Sequence, residues 1–247
     1  MVRRQRSLKR LHTEMRCCTR CPLAAGRTQV VVGDGPSRAE VLLIGEAPGA
    51  QEDEQGRPFV GRAGAYLNRL LEAAGIDRAE VHITNIVACR PPGNRTPKPA
   101  EIRAHGPWID EQIRLIRPRL IVTLGRAALM YFLPKAPISD VHGRVQKVEW
   151  QDSELAILPT YHPAAAFRRP EVKSLLEADI GQIRKALKRL SAPPAERRRS
   201  SSAASTRART SGDSRSTGPR RSAAGSRTGK STGRKGSGRP SRGRTRS

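Results

Sequence analysis

The sequence predicts an α/β protein: a three-layer αβα sandwich with a central, mostly parallel four-stranded sheet, plus a disordered basic C-terminal tail. Three observations carry this. Short apolar runs rich in β-branched residues read as buried strands at Val41–Gly45, Val81–Ala88, Leu120–Gly125 and Leu155–Tyr161. Helical patterns alternate with them, as in a parallel sheet covered on both faces. Residues 193–247 contain no Val, Ile, Leu, Met, Phe, Tyr, Trp or Cys. A segment with nothing to bury cannot offset its ordering entropy.

The helices follow in order. Ala63–Ala74 places Leu67, Leu70, Leu71 and Ala74 on one face and stops at Gly75, a suitable residue just past a helix end. Pro99–Ile116 begins with a proline, which suits a first helical turn, and with Arg126–Leu133 it flanks the third strand. Lys173–Leu190 aligns Leu176, Ile180, Ile183, Leu187 and Leu190 on a single stripe. No repeat recurs at a period of 20–50 residues. The folded domain is expected over residues 1–192, with a cysteine cluster near its start and the tail at 193–247.

Charge separates the same two parts. The chain carries +25, and residues 193–247 hold 16 Arg/Lys against Glu196 and Asp213. No apolar run approaches the ~20 residues of a membrane span. The basic N-terminus has no apolar stretch behind it, so it does not read as a secretory signal. The expected location is intracellular, cytoplasmic or nucleoid-associated if the source is bacterial. Reducing conditions there favour thiols or metal ligands over disulfides for the four cysteines.

Polar and glycine-rich residues gather where strands end. Gly45-Glu46-Ala47-Pro48-Gly49 follows the first strand, Asn85 and Cys89 lie towards the end of the second, and Tyr161-His162-Pro163 closes the fourth. Open α/β sheets bind ligands outside the carboxyl ends of their strands, so these groups converge on one crevice. Taken singly, each also has a plain structural reading: Glu46 as an exposed acid on a turn, Phe59 as a core plug, Asn85 as a locally bonded amide, His162 as a structural histidine. Cys18 and Cys21 form a C-x2-C pair, with Cys17 adjacent and Cys89 remote. Two ligands on a tight turn plus a remote one can close a small metal site, iron–sulfur or zinc, with His105 sixteen residues after Cys89 as a possible fourth.

Together the motifs C-T-R-C-P-L, G-E-A-P-G, E-D-E-Q-G-R-P-F-V-G-R-A-G, I-T-N-I-V-A-C-R-P-P-G-N-R-T-P, L-G-R-A-A and H-P-A-A-A-F-R resemble the family 4, iron–sulfur uracil-DNA glycosylases, over about Cys18–Leu190. The resemblance implies that Gly45, Glu46 and Ala47 line the pocket, with Glu46 positioning the attacking water and Glu52 supporting it. It implies that Phe59 stacks on a flipped uracil, Asn85 reads the N3–H and O4 edge, and His162 lies near O2. It also implies a [4Fe–4S] cluster on Cys18, Cys21 and Cys89, with structural zinc as the alternative. The fourth family cysteine falls near Ala104–His105, so either His105 or Cys17 completes the set, or the set is incomplete. The loop Pro91–Pro97 lacks the histidine of relatives that bind uracil-DNA covalently, which favours hydrolysis.

The expected partner is uracil-containing DNA, single- or double-stranded, bound by a monomer, with the basic tail on the phosphate backbone. The competing reading is a catalytically inactive DNA-binding module with a structural metal site.

Overall fold

In the computed structural model, which describes residues 7–151 and 153–191, one five-stranded sheet forms the middle layer. Its strands are β1 (Val41–Gly45), β2 (His82–Asn85), β3 (Leu120–Leu124), β4 (Gln146–Trp150) and β5 (Ser153–Thr160), in the order β2-β1-β3-β5-β4. The β2-β1, β1-β3 and β3-β5 pairings are parallel; β4 runs antiparallel to β5. The helices are α1 (Leu8–Arg16), α2 (Ala50–Gln55), α3 (Arg62–Ala73), α4 (Pro99–Ile116), α5 (Arg126–Phe132), α6 (Ile138–Val141), α7 (Glu171–Ile180) and α8 (Gln182–Ser191).

The period-2 alternation of side chains along the strands divides the core between two faces. Leu42 and Ile44 of β1, Ile121 of β3 and Ile157 of β5 pack with α1, α4 and α5. Val41, Leu43, Leu120, Val122, Leu124 and Leu158 point the other way, onto α3, α7 and α8. All residues of β1, β2 and β3 are buried: β1 and β3 as central parallel strands, and β2 at the sheet edge, where Asp34 bridges to Ile83 from outside. The three layers are therefore those expected, around a mostly parallel sheet.

Four strands were expected and there are five. The added strand, β4, has the sequence QKVEW, in which only Val148 is buried. A half-solvated edge strand presents no continuous apolar run, so the pattern that marks central strands does not mark this one. The stripe over 173–190 proves to span two helices that meet at Gly181, a poor helix former. Leu176, Ile180 and Ile183 are buried on it, while Leu187 and Leu190 pack at its partly exposed margin. The second strand leaves the ladder after Asn85, although Ile86 N–H and Val87 N–H still donate to the Gly45 and Glu46 carbonyls at 2.9 and 3.1 Å.

Helix α1 begins after Ser7, whose hydroxyl accepts from Arg10 N–H, and buries Leu8, Leu11 and Met15. It packs on α4. Among the described residues no helix is long and apolar enough to cross a membrane. The basic tail and the boundary at 192/193 lie outside the described residues.

Candidate active site and cysteine corner

A cavity of about 410 Å³ opens at the carboxyl ends of the strands. Glu46 and Asn85 come from the ends of β1 and β2, Phe59 from the loop before α3, and His162 from the turn after β5. Ala47 and Glu52 also line it, and Gly45 lies beneath. Glu46, Phe59, Asn85 and His162 are thus brought together, whereas Cys89 and Tyr161, expected at the same crevice, do not line it.

Gly45 shows why the first loop begins with a glycine. A Cβ there would lie 2.4 Å from Asn85 Oδ1 and 2.7 Å from Phe59 Cζ, so amide and ring close over the strand end. Gly45 pairs in register with Asn85 across the parallel ladder, which fixes the amide at the cavity floor. Asn85 is buried, so its amide needs partners that the protein or a ligand must supply.

Phe59 adopts a left-handed backbone, φ +55°, uncommon for a bulky residue and found where surrounding structure enforces it. Gly64 does part of the enforcing: a Cβ on it would sit 1.7 Å from the Phe59 carbonyl oxygen, so the loop rests directly on α3. Glu52 does the rest. One carboxylate oxygen accepts from Gly49 N–H at 3.1 Å, the other from Gly61 N–H at 2.7 Å, tying the loop after β1 to the loop carrying Phe59.

His162 faces Phe59 with ring centroids 5.8 Å apart. Its Nδ1 accepts from Ala164 N–H at 3.2 Å. Burial lowers its pKa to about 4, with Glu52 opposing and Arg168 reinforcing the shift. The imidazole is therefore neutral at pH 7, with its one proton on Nε2. Glu46 is half-buried; desolvation raises its pKa, and a hydrogen bond from Thr96 opposes the rise.

Part of the cavity lining had no role assigned from the sequence. Asn94, Arg95 and Thr96 line the cavity. Arg95 makes two bonds to Glu101, at 2.8 and 2.6 Å, and Lys98 N–H donates to the same carboxylate at 2.6 Å. The Arg95 guanidinium holds the Glu101 carboxyl down to about 2. The run N-R-T-P was visible, but nothing in its spacing told which side chain turns inward.

The chain matches the model of the Uracil DNA glycosylase superfamily over residues 32–187. It is 43% identical over 184 residues to a Type-4 uracil-DNA glycosylase of Sulfurisphaera tokodaii, covering 72% of this chain and 84% of that one. Identity is 39% over 191 residues with the Type-4 uracil-DNA glycosylase of Thermotoga maritima, covering 76% of this chain and 99% of the relative. A Type-5 uracil-DNA glycosylase of Thermus thermophilus is 40% identical over 114 residues, 40% of this chain and 52% of that one. The chain belongs to the uracil-DNA glycosylase superfamily, in its type-4 family.

Three of the four cysteines lie on the sheet face covered by α1 and α4. Cys89 is buried there and Cys18 and Cys21 pack against the same cluster, while Cys17 is exposed at the end of α1. Trp108 Nε1–H donates to Cys18 Sγ at 3.4 Å, and Arg27 donates to Cys89 Sγ at 3.2 Å. Burial pushes the Cys89 thiol up, and Arg27 opposes it. N–H donors aimed at sulfur stabilise thiolate or cluster sulfur, so this donor set fits an iron–sulfur group. Among the described residues, no group of three or more His, Cys, Asp or Glu side chains could hold a single metal ion.

Proposed function

We propose that this protein removes uracil from DNA by hydrolysing the N-glycosidic bond, leaving an abasic site. One observation carries the reading: Asn85 and His162 line one cavity at the sheet's carboxyl edge, with the Phe59 ring 5.8 Å from the His162 ring and closing with Asn85 over Gly45.

A base inside duplex DNA is out of reach, so the nucleotide must be rotated out, at a cost of a few kcal/mol. The cavity volume suits a single pyrimidine with its sugar. Phe59 stacks on the base. Asn85 offers its amide N–H to O4 and its carbonyl to N3–H; cytosine reverses both and leaves buried groups unpaired. As the bond breaks, negative charge grows on N1 and O2 and positive charge on the sugar. The Nε2–H of His162 donates to O2, a bond that strengthens in the transition state. Glu46, ionised above its raised pKa, orients water and offsets the positive sugar. Gly45 and Ala47 let the backbone approach base and sugar, and Glu52 is a positioning residue that keeps the Phe59 loop in place.

Cys18, Cys21 and Cys89 would hold a [4Fe–4S] cluster, which would supply a structural staple between the N-terminal segment and the strand-end loop after β2. Residues 193–247 bind phosphates without reading bases, since they offer charge and no apolar surface beyond alanine. The protein works as a monomer inside the cell, on uracil in single- or double-stranded DNA.

The deciding experiment is release of free uracil from a uracil-containing oligonucleotide, in single turnover at saturating enzyme. Uracil release with an intact cytosine control is expected. DNA binding without release would instead establish an inactive binding module. In the same assay, a chain cut after Ala192 should excise at the same rate but bind long DNA more weakly, with a flatter dependence on salt.

A further inference from the structure

The inference rests on the cluster assigned to the cysteines above and concerns its fourth ligand. His105 lies in α4, one helical turn before Trp108, whose indole N–H reaches Cys18 Sγ. It is buried, at 3% exposure. Its Nδ1 is 2.9 Å from the Glu101 carbonyl oxygen. A carbonyl only accepts, so Nδ1 carries the proton and Nε2 keeps its lone pair. Protein ligation by histidine commonly uses this arrangement, in which the far nitrogen donates to a carbonyl and fixes the tautomer. The cations around the imidazole are those around the thiols. Arg27, which donates to Cys89 Sγ, acts on His105 as well, and so does Arg20, between Cys18 and Cys21 and stacked 4.1 Å over Trp108. Glu101 faces it from one turn earlier in α4. Cys17 contrasts with it at every point: it is exposed and caps α1 rather than packing with the other cysteines.

We propose that His105 Nε2 is the fourth ligand, so that this protein carries a three-cysteine, one-histidine iron–sulfur cluster. Imidazole is neutral where thiolate is anionic. Such a cluster carries one negative charge less than an all-cysteine one, and its reduction potential is correspondingly higher. Replacing thiolate by imidazole is how Rieske centres raise theirs. Arg27 and Arg20 beside the sulfurs act in the same direction.

The test uses the full chain purified without oxygen, with iron content, visible absorption and the magnetic spectrum of the paramagnetic cluster as readouts. Protein grown on 15N-histidine should show electron–nuclear coupling to one nitrogen. His105→Cys should keep about four irons per chain, lose that coupling and move to a lower potential. His105→Ala should lose iron, and Cys17→Ala should keep both iron and coupling. The His105→Cys variant covers the case in which His105→Ala does not fold. A wild-type cluster without nitrogen coupling overturns the proposal, as does loss of iron in Cys17→Ala, or colourless protein with one zinc. Uracil release from the same wild-type preparation is scored separately, so a failed ligand assignment is not confused with a failed enzymatic one.

Discussion

In the cavity, protein bonds alone fix the candidate groups: His162 by a backbone N–H on Nδ1, Asn85 by the ladder beside Gly45, and the Phe59 loop by both oxygens of Glu52. In the cysteine corner, three thiols from two parts of the chain are held by packing and two N–H···S bonds. The first region owes its geometry to a covered parallel sheet. The second gathers the segment after α1 and the loop after β2 around side chains whose chemistry asks for a further group. Function should therefore fail in the two regions in different ways, one through chemistry with the fold intact and the other through stability with the chemistry intact.

The largest expected effect lies in the cavity. His162→Ala should slow single-turnover excision by about 10²–10³, the loss typical of one transition-state donor. Glu46→Ala should slow it by a similar order. Binding of uracil-containing DNA, melting temperature and iron content should stay as in wild type. The pH profile sharpens the assignment. His162 is neutral above about pH 4, so the acid limb of the rate reports Glu46 and should lie above the ordinary carboxylate range. Glu46→Gln should remove that limb. An acid limb that survives Glu46→Gln would take the titrating role from Glu46, and melting or iron loss in either alanine variant would break the separation between the regions.

The second effect lies in the corner. Cys89→Ser replaces a buried sulfur that accepts from Arg27. It should release the metal and lower the melting temperature by several degrees, at about 2–4 °C per kcal/mol for a domain of this size. Below the new melting temperature, excision per folded molecule should remain within a few-fold of wild type. A collapse of excision in protein that melts normally would tie the cluster to the chemistry and overturn the comparison.

Legibility in the sequence follows the same division. Val41–Gly45 and Pro99–Ile116 were readable to the residue because a buried strand and a proline-started helix are fixed by local pattern. Glu46, Asn85 and His162 were readable as one crevice because strand-end position follows from the α/β arrangement itself, whereas Phe59, in the loop before α3, was placed there only by the family resemblance. β4 was not, because a half-solvated strand with one buried residue has no apolar signature. The clip by Glu52 and the wall formed by Asn94, Arg95 and Thr96 were not legible either. They depend on which way loop side chains turn, and tertiary packing decides that. His105 was visible only as a spacing; its tautomer needed the Glu101 carbonyl.

The smallest effect probes Glu101, where the two regions meet. Its side chain serves the cavity, accepting from Arg95 and from Lys98 N–H at the start of α4. Its main-chain carbonyl serves the corner, accepting from His105 Nδ1–H. Glu101→Gln changes the first and leaves the second. Gln still offers an oxygen to Lys98 N–H, so only the charge opposite the partly exposed Arg95 is lost, and the melting temperature should fall by a few degrees at most. Excision should drop a few-fold as Arg95 loosens, and iron content should not move. The effect must also depend on pH with a definite sign. The folded carboxyl titrates at about 2, below its unfolded value near 4.3, so its stabilisation is complete above that unfolded value and is lost as pH falls towards 2. The difference in melting temperature between wild type and Glu101→Gln should therefore shrink from pH 5 downwards. A difference that stays constant over that range would mean the ion pair contributes nothing. Loss of iron ahead of any change in excision would mean that the side chain, and not the carbonyl alone, holds the corner together.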